Sequence, residues 1–389
     1  MVSHLKEVFN EQFHAEPTVF AFAPGRINLI GEHTDYNGGY VFPAAIELGT
    51  YGVARLREDD QINIYSLNFK ETGVMSFSLS DLSYQKKHQW ANYPKGMIHY
   101  LVETYPEINQ GFDIVVEGNI PNGASLSSSA SIELLTGHLV TELFELQIDR
   151  LELVKLGQRV ENQFIGVNSG IMDQFIVGFG RRDHAILLDT HTLEYHHVPT
   201  EFGDYKISIM NTNKRRELAE SKYNERRSEC EAALKLLQQR LDVSALGEIS
   251  VASFEANQDV IDSDVLRRRA RHAITENART KAAYQALQNH DFETFGQLLN
   301  ASHQSLKEDY EVTGIELDTL AESAQAVEGV LGARMTGAGF AGCAIALVHQ
   351  DKIQELERQV TEQYVKTVGY APSFYHVDIV DGVRTIIEQ

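Results

Sequence analysis

Cysteine, proline and tryptophan are scarce in this sequence of 389 residues. It holds two cysteines, eight prolines and one tryptophan. The cysteines, Cys230 and Cys343, lie far apart and form no C-x-x-C pair, which argues against a disulfide framework and fits a reducing compartment. No proline-rich linker marks a boundary between domains.

Basic residues are also in short supply, with 34 lysines and arginines against 55 aspartates and glutamates. The formal net charge of -21 repels phosphate backbones and anionic lipid at long range. Nucleic acid and membrane surfaces are therefore not expected as partners, and nothing implies an obligate protein partner. An anionic substrate such as a nucleotide would have to be held by local donors.

Targeting and membrane-spanning signals are missing as well. The first twenty residues, "MVSHLKEVFNEQFHAEPTVF", lack a basic segment followed by a continuous apolar one, and no apolar run reaches membrane-spanning length. Hydrophobic residues make up 43% of the chain and charged ones 23%, which is ordinary for a globular protein. We expect a cytoplasmic enzyme, large enough for two domains.

Strand-like and helix-like segments alternate along the chain. "TVFAFAP", "QINIYSL", "VMSFSL" and "GFDIVVEGN" have the composition of strands, and a helical stretch lies around residues 88 to 104. A helix with one buried stripe is predicted after residue 125, from the spacing of Ile132, Leu135, Leu139, Leu143 and Leu146. The pattern is helical from about 214 to 330, and β-α-β character returns with "GCAIALVHQ". This is an α+β chain, divided into residues 1–195 and 196–389.

The segment "PNGASLSSSAS", residues 121 to 131, combines small residues with many hydroxyls ahead of that helix. Small residues let a backbone approach a ligand closely, and the free N–H groups at a helix start favour an anion. The segment therefore suits phosphate groups. Serine is also the usual cap of a helix, so an ordinary polar cap is an equal reading of this segment alone.

Other phosphate-binding motifs do not fit. The sequence has no G-x-x-x-x-G-K-[ST] motif. The segment "GAGFAG", residues 337 to 342, matches G-x-G-x-x-G, but a strand-like run follows it where a dinucleotide-binding motif needs a helix. We interpret it as a glycine turn that packs closely against another part of the protein or against the same ligand.

A second polar cluster lies in "APGRINLIGEHTDYNGGYVFP", residues 23 to 43. Arg26, Glu32, His33, Asp35 and Asn37 stand there among glycines and apolar residues. Crowded donors and acceptors on a glycine-rich turn suit a polyol, whose hydroxyls each need both. Metal ligation is the alternative, although no second histidine lies nearby.

Asp173 stands in apolar surroundings within "GVNSGIMDQFIVGFG", residues 166 to 180. A carboxylate in such surroundings must be paired, hydrogen-bonded or shifted in pKa. It is either a structural brace or a functional group. Arg26 is its expected partner.

Together these segments resemble the galactokinases, within the superfamily of galactokinase, homoserine kinase, mevalonate kinase and phosphomevalonate kinase (GHMP kinases). "GRINLIGEHTDYNGGYVFPAAI" is similar to the signature specific to galactokinases. "PNGASLSSSAS" and "RMTGAGFAGCAIAL" resemble two motifs of the whole superfamily. "ESKYNERRSEC" and "RHAITENART" extend the likeness over nearly the whole chain.

The resemblance implies ATP-dependent phosphorylation of the anomeric hydroxyl of α-D-galactose, the entry step of the Leloir pathway. It also implies a two-domain GHMP kinase fold, with an N-terminal domain like the second domain of ribosomal protein S5 and a ferredoxin-like C-terminal domain. The partners would be galactose and ATP with Mg²⁺. N-acetylgalactosamine kinase and a non-catalytic sensor of galactose and ATP are the alternatives.

The resemblance also assigns roles to single residues. Asp173 and Arg26 correspond to the catalytic pair, and Ser129 with Glu161 to the Mg²⁺ ligands. Sugar contacts carry over to Glu32, His33, Asp35 and Tyr223. The nucleotide contacts carry over to Trp90 at the adenine and to Gly123, Ala124, Ser125, Leu126, Ser127, Ser128 and Ser129 at the phosphates.

Three positions depart from the family pattern. Ser125 and Ala341 stand where glycine is usual, and Ser169 where many relatives have cysteine. All three replacements are small, so they affect fine geometry more than activity. The sequence leaves open whether Asp173 is a general base or orients the hydroxyl while Arg26 stabilises charge.

Overall fold

The structure is a computed structural model that describes residues 2–214 and 219–387. Helices and strands are mixed along the chain, which confirms the α+β class expected from the sequence. Within the described residues no helix is both long and apolar enough to span a bilayer.

Eleven α-helices occur in the described part of the chain. They are α1 Val2–Phe13, α2 Asn92–Thr104, α3 Ser128–Leu143, α4 Arg150–Arg159, α5 Met172–Phe179, α6 Ala219–Leu237, α7 Val251–Asn257, α8 Asp264–Gln288, α9 Phe292–Ser305, α10 Gly314–Gln325 and α11 Ile353–Val368. A π-helical segment, Val160–Ile165, extends α4.

Thirteen strands occur in the same residues. They are β1 Val19–Asn28, β2 Tyr40–Val41, β3 Pro43–Leu56, β4 Gln61–Ser66, β5 Met75–Ser78, β6 Phe112–Gly118, β7 His184–Asp189, β8 Tyr195–Pro199, β9 Tyr205–Asn211, β10 Val330–Thr336, β11 Cys343–His349, β12 Ser373–His376 and β13 Arg384–Thr385.

The larger sheet has six strands in the order β13-β1-β3-β6-β4-β5. All neighbours are antiparallel except β4 and β6. The pairing of β1 with β3 shifts register between Pro24 and Gly25, because proline has no N–H to give to the ladder. This irregularity lies just before Arg26, at the end of the sheet that faces the cavity described below.

Helix α3 packs across this sheet, but more of it is buried than the single stripe predicted from the sequence. Leu134 and Val140 are fully buried too, Ile132 is only partly buried, and Leu146 lies beyond the end of the helix at Leu143. Leu135 and Leu139 are fully buried, and both lie against Gly52 of β3. A Cβ atom on Gly52 would lie 2.9 Å from Leu135 Cδ2, so the glycine is what lets the helix come this close. The packing fixes the start of α3, and with it the serine-rich loop, relative to β1.

The second sheet has four strands in the order β10-β11-β9-β12, and all its neighbours are antiparallel. The turn between β10 and β11 is the glycine segment of residues 337 to 342. A third sheet, in the order β2-β7-β8, completes the strands. The second sheet therefore presents the glycine turn to the serine-rich loop.

The segments "TVFAFAP", "QINIYSL", "VMSFSL" and "GFDIVVEGN" are confirmed as strands β1, β4, β5 and β6, and "GCAIALVHQ" contains β11. The strands that were not predicted from the sequence are β2, β3, β7, β8, β9, β10 and β13. The division at residues 195 and 196 stays a prediction. Strand β13, near the end of the chain, pairs with β1 in the larger sheet.

We expect the contact of the C-terminal segment with the larger sheet to be essential for stability. Val383 is buried, and its N–H bonds Val177 O at 2.7 Å. Val383→Asp would bury an unpaired carboxylate and lower the free energy of unfolding by about 3 kcal/mol or more. Urea denaturation measures this change. Ile387→Asp is the matched control, because Ile387 is 86% exposed, and an equal loss there would contradict the prediction.

Candidate active site

A cavity of about 350 Å³ opens where three segments meet: the polar cluster of residues 23 to 43, called the sugar cluster after its expected ligand, the serine-rich loop of residues 121 to 131, and the glycine turn. Its walls include almost all the residues that the sequence analysis selected. They are Arg26, Glu32, His33, Asp35, Gly123, Ala124, Ser125, Leu126, Ser127, Ser128, Ser129, Glu161, Asp173 and Tyr223. Gly337 and Ala338 of the glycine turn line the same space.

Arg26 and Asp173 form a bidentate ion pair, as the sequence analysis expected. Arg26 Nε lies 2.8 Å from Asp173 Oδ1, and Nη2 lies 2.9 Å from Oδ2. The third nitrogen of the guanidinium, Nη1, donates to Ser125 O at 2.5 Å. Arg26 therefore joins the sugar cluster, the serine-rich loop and helix α5 at one point.

Asp173 receives a further hydrogen bond from the hydroxyl of Ser127. Three donors then bind a carboxylate that has about four lone-pair sites, so acceptor capacity remains. The Asp173 side chain is 30% exposed, while that of Arg26 is 5% exposed. Asp173 is thus fixed in orientation and still open to the cavity.

The serine-rich loop has an unusual backbone. Gly123, Ser125 and Ser127 have φ values of 74°, 59° and 63°, all in the left-handed region. Only glycine adopts that region without cost, so the two serines are held there by their surroundings. The loop ends at Ser128, where α3 begins, and Ser128 and Ser129 of the first helical turn line the cavity.

The glycine turn packs directly against Ser125. A Cβ atom on Gly342 would lie 2.1 Å from Ser125 Oγ, and one on Gly337 would lie 2.7 Å from Ser125 O. Both glycines also have positive φ values, 90° and 87°. The "GAGFAG" segment is therefore a turn that supports the serine-rich loop, which confirms the reading as a closely packed glycine turn.

Glu32 is buried and paired with an arginine that the sequence analysis did not select. Its Oε2 accepts from Arg334 Nη2 at 2.7 Å, and its Oε1 accepts from Asn28 Nδ2 at 2.9 Å. Burial raises the pKa of Glu32, and the positive charges of Arg334 and Arg26 oppose that rise. The carboxylate forms part of the cavity wall.

His33 lines the cavity, but both of its ring nitrogens already have protein partners. Nε2 lies 3.0 Å from Ala338 O, and Nδ1 lies 2.8 Å from the hydroxyl of Tyr36. Burial lowers the pKa of His33 to about 3, so the ring is neutral. A carbonyl only accepts, hence Nε2 carries the proton and Nδ1 accepts from Tyr36. The ring nitrogens are engaged before any sugar arrives.

Asp35 is a carboxyl group with a strongly shifted pKa. Burial, and then the negative charge of Asp173, raise the pKa of Asp35 to about 6. Its oxygens accept from the N–H groups of Tyr36 and Met172, at 3.1 and 3.3 Å. A Cβ atom on Gly170 would lie 2.0 Å from Asp35 Oδ2, so only glycine fits there.

Tyr223 of helix α6 closes the other side of the sugar cluster. Its ring lies 5.4 Å from the rings of both His33 and Tyr36. Burial, and after it the charge of Asp35, hold the pKa of Tyr223 well above its usual value. Its hydroxyl therefore remains a hydrogen-bond donor at neutral pH.

Ser129 and Glu161 reach the cavity from α3 and from the π-helical segment. A hydroxyl and a carboxylate are hard oxygen donors, which fits Mg²⁺. Glu133 lies behind them and is fully buried, and burial raises its pKa well above the usual value. Glu161 itself lines the cavity, whereas Glu133 does not.

Trp90 lies outside the lining of this cavity. Its ring stacks on Phe69, with centroids 5.8 Å apart and planes 14° apart. Tyr93, which the sequence analysis did not select, lines the cavity at the start of α2. The assignment of Trp90 to an adenine site stays a prediction.

One other group in the described part of the chain has the spacing of a metal site: His303, Asp318 and Glu322. His303 Nδ1 accepts the N–H of Met335 at 3.2 Å, and Nε2 lies 3.3 Å from Asp318 Oδ1. Lys307 forms ion pairs with both Asp318 and Glu322, so a lysine already supplies positive charge to this group.

Arg334 is the main residue that the sequence analysis missed. It is fully buried in β10, three residues before the glycine turn, in the segment "RMTGAG". The sequence contains a signal for it, which is a charged residue in a strand next to the glycine turn. Such a residue, once buried, must have a partner.

The packing of Ser125 against Gly342 gives a testable prediction. Gly342→Ala places a methyl group on Ser125 and should lower the affinity for ATP, measured by calorimetry, about tenfold or more. Ser125→Gly alone should change that affinity by less than about threefold, since it relieves a left-handed serine. Ser125→Gly combined with Gly342→Ala should restore part of the loss, because the overlapping hydroxyl is gone.

Gly369→Ala is the matched control for this prediction. Gly369 has a φ of 97°, close to that of Gly342, but nothing lies within 4 Å of its added Cβ. This variant should lose about 1 kcal/mol of stability and keep its affinity for ATP. Equal losses of ATP affinity in Gly369→Ala and Gly342→Ala would show that the contact with Ser125 is not the cause.

Three family models match the chain. The galactokinase galactose-binding signature matches residues 7–56. The GHMP kinases N-terminal domain matches residues 92–181, and the GHMP kinases C-terminal domain matches residues 283–366.

Curated relatives match over nearly the full length. A galactokinase of Staphylococcus carnosus is 69% identical over 386 residues, which are 99% of this chain and 100% of that one. A galactokinase of Enterococcus faecalis is 59% identical over 378 residues, covering 97% of this chain and 98% of its own.

Solved structures give the same result. The galactokinase of Lactococcus lactis, in complex with galactose, has a TM-score of 0.97 and 55% identity, and covers 99% of this chain and 100% of its own. A mevalonate kinase of Methanococcus jannaschii, with a TM-score of 0.65 and 20% identity, covers 94% of this chain and 99% of its own and shares the fold. The α+β, two-domain GHMP kinase fold is thereby confirmed. The chain belongs to the galactokinase family of the GHMP kinases.

Proposed function

We propose that this enzyme transfers the γ-phosphoryl group of ATP to the C1 hydroxyl of α-D-galactose, giving galactose 1-phosphate and ADP. One observation carries the proposal: Arg26 and Asp173 form an ion pair where the sugar cluster and the serine-rich loop share one cavity. The galactose bound by the Lactococcus lactis relative supports galactose as the sugar.

The serine-rich loop and the start of α3 would hold the phosphates. The first intrahelical bond runs from Ser131 N to Ser127 O, so the preceding N–H groups have no partner within the helix. Such groups favour an anion through the helix dipole. In a chain with a net charge of -21, these local donors replace a global attraction.

Ser129 and Glu161 are the residues that would hold Mg²⁺, since both line the cavity with oxygen donors. Bound Mg²⁺ would neutralise charge on the phosphates. Glu161 is buried at the start of the π-helical segment, so its carboxylate has a fixed place on the cavity wall.

Asp173 and Arg26 would act on the two reacting groups. Asp173 keeps a lone pair open to the cavity and would accept the hydrogen of the C1 hydroxyl. The N–H groups of Arg26 that are not bonded to Asp173 or Ser125 would stabilise charge on the transferring phosphoryl group. Positioning and charge stabilisation supply most of the catalysis in phosphoryl transfer.

The sugar would lie against Glu32, Asp35 and Tyr223. The two carboxylates accept from hydroxyl groups, and the Tyr223 hydroxyl donates to one. His33 would support this wall through its bonds to Tyr36 and Ala338.

A cytoplasmic location, expected from the cysteine content, stays a prediction.

Removing either member of the central ion pair should abolish most turnover. We expect Asp173→Asn and Arg26→Ala each to lower kcat by about 10² or more, the scale for a general base or a charge-stabilising group. ADP release with galactose measures kcat. Asp59→Asn is the control, because Asp59 also pairs with an arginine, Arg57, but on the protein surface.

The same assay tests the alternatives. Turnover of N-acetylgalactosamine but not galactose would overturn the sugar assignment. Binding of galactose and ATP without ADP release would make the protein a sensor. Turnover near the wild-type rate in Asp173→Asn would refute the assigned roles.

The raised pKa of Asp35 predicts a pH dependence of sugar binding. Below its pKa of about 6 the group is protonated and loses the charge that accepts a sugar hydroxyl. KM for galactose should therefore rise as the pH falls through about 6 and stay constant above about 7. Asp35→Asn should have a high KM that does not change over this range. A flat profile in the wild type would contradict the prediction.

A further inference from the structure

Arg334 is fully buried in β10 and has no surface of its own in the cavity. Its guanidinium group nevertheless reaches the sugar cluster at three atoms. Nη2 pairs with Glu32 Oε2 at 2.7 Å, and Nη1 donates to Asn28 O at 2.8 Å and to Leu29 O at 3.2 Å. The remaining nitrogen, Nε, donates to Ser302 Oγ at 3.1 Å.

Glu32 depends on this partner. Its side chain is 1% exposed, and a carboxylate buried that deeply is costly unless it is paired. Asn28 binds one of its oxygens and Arg334 the other, so each oxygen keeps capacity for one more hydrogen bond. The carboxyl group is thereby oriented and ready to accept from a ligand.

We propose that Arg334 is a positioning residue for sugar recognition, which holds the Glu32 carboxylate so that it accepts a hydrogen bond from one hydroxyl group of the sugar. This rests on the proposed function. Arg334 touches no substrate, and its effect passes through Glu32.

The same arginine also supports the backbone that carries Glu32. Ser302 accepts from Arg334 and donates to Glu276 Oε1 at 2.6 Å. Glu276 Oε1 in turn accepts the N–H groups of Gly31 and Glu32, at 3.0 and 3.3 Å. One hydrogen-bond path therefore runs from Arg334 to the main chain of the sugar cluster.

Lysine cannot replace Arg334 in this arrangement. The planar guanidinium donates in several fixed directions, to a carboxylate, two carbonyls and a hydroxyl, whereas an ammonium group is a single point of charge on a flexible stem. Arg334→Lys keeps the charge and removes the geometry. It is therefore the variant that tests positioning.

The test measures kinetics with galactose and ATP for the wild type, Arg334→Lys, Glu32→Gln and the double variant. Arg334→Lys should raise KM for galactose about tenfold or more, as expected for the loss of a hydrogen bond to a charged group. It should change kcat and KM for ATP less than about twofold. The double variant should be no worse than Glu32→Gln alone, since both changes act through one carboxylate.

A panel of monodeoxy galactoses identifies the hydroxyl group. With the deoxy sugar that lacks the hydroxyl bound by Glu32, the wild type and Glu32→Gln should have the same kcat/KM. With that same sugar, Arg334→Lys should also match the wild type. If the loss in Arg334→Lys persists with every deoxy sugar, or affects ATP equally, Arg334 has only a structural role and the proposal is wrong. If the wild type does not turn over galactose at all, the proposed function fails instead.

Arg269→Lys is the matched control. Arg269 is 3% exposed, pairs with Glu229 at 2.7 Å and donates to Asp309 O, and these partners lie outside the sugar cluster. Its KM for galactose should stay within about twofold of the wild type. If Arg334→Lys does not fold, Ser302→Ala replaces it in the test, because it removes the hydroxyl that accepts from Arg334 Nε. Ser302→Ala should raise KM for galactose about threefold, and this rise should disappear with the same deoxy sugar.

Discussion

The ion pair between Arg26 and Asp173 is the interaction on which the arrangement of the site depends. Its two residues are 147 positions apart, and the arginine also holds the main chain of Ser125. Strand β1, the serine-rich loop and helix α5 are therefore fixed relative to one another by one planar group. Such a group is always charged and sets direction as well as distance. The sugar and nucleotide sides of the cavity meet at this point.

Local features of the site could be predicted from the sequence, and partners distant in the sequence mostly could not. The glycine turn and the serine-rich loop are recognisable because left-handed backbone and helix starts select particular residues within a few positions. The pair of Arg334 with Glu32 spans 302 positions, and no local pattern reports it. Ser127 shows a second limit, since a hydroxyl expected at a phosphate group is bonded to Asp173 instead. Strand β3 was missed because Gly49 and Gly52 weaken its strand pattern. Gly49 lets Phe22 approach the strand, and Gly52 lets Leu135 approach it.

Buried charge on the sugar side is organised differently from that on the nucleotide side. Glu32 is balanced by Arg334, whereas Asp35 has backbone N–H groups and a pKa raised by burial. The start of α3 instead offers main-chain N–H groups and serine hydroxyls. In a strongly acidic chain such local donors, rather than the overall field, would have to hold an anion beside a polyol.

Strand β13 has a consequence for how the protein is made. Arg384 and Thr385 pair with Phe22 and Ala21, on the same strand that carries Arg26. During synthesis β1 leaves the ribosome long before residues 384 and 385, so its edge at Ala21 and Phe22 stays unpaired until β13 has folded back. Until then that edge is an exposed template for pairing with another nascent chain. Contacts of such large sequence separation also slow folding.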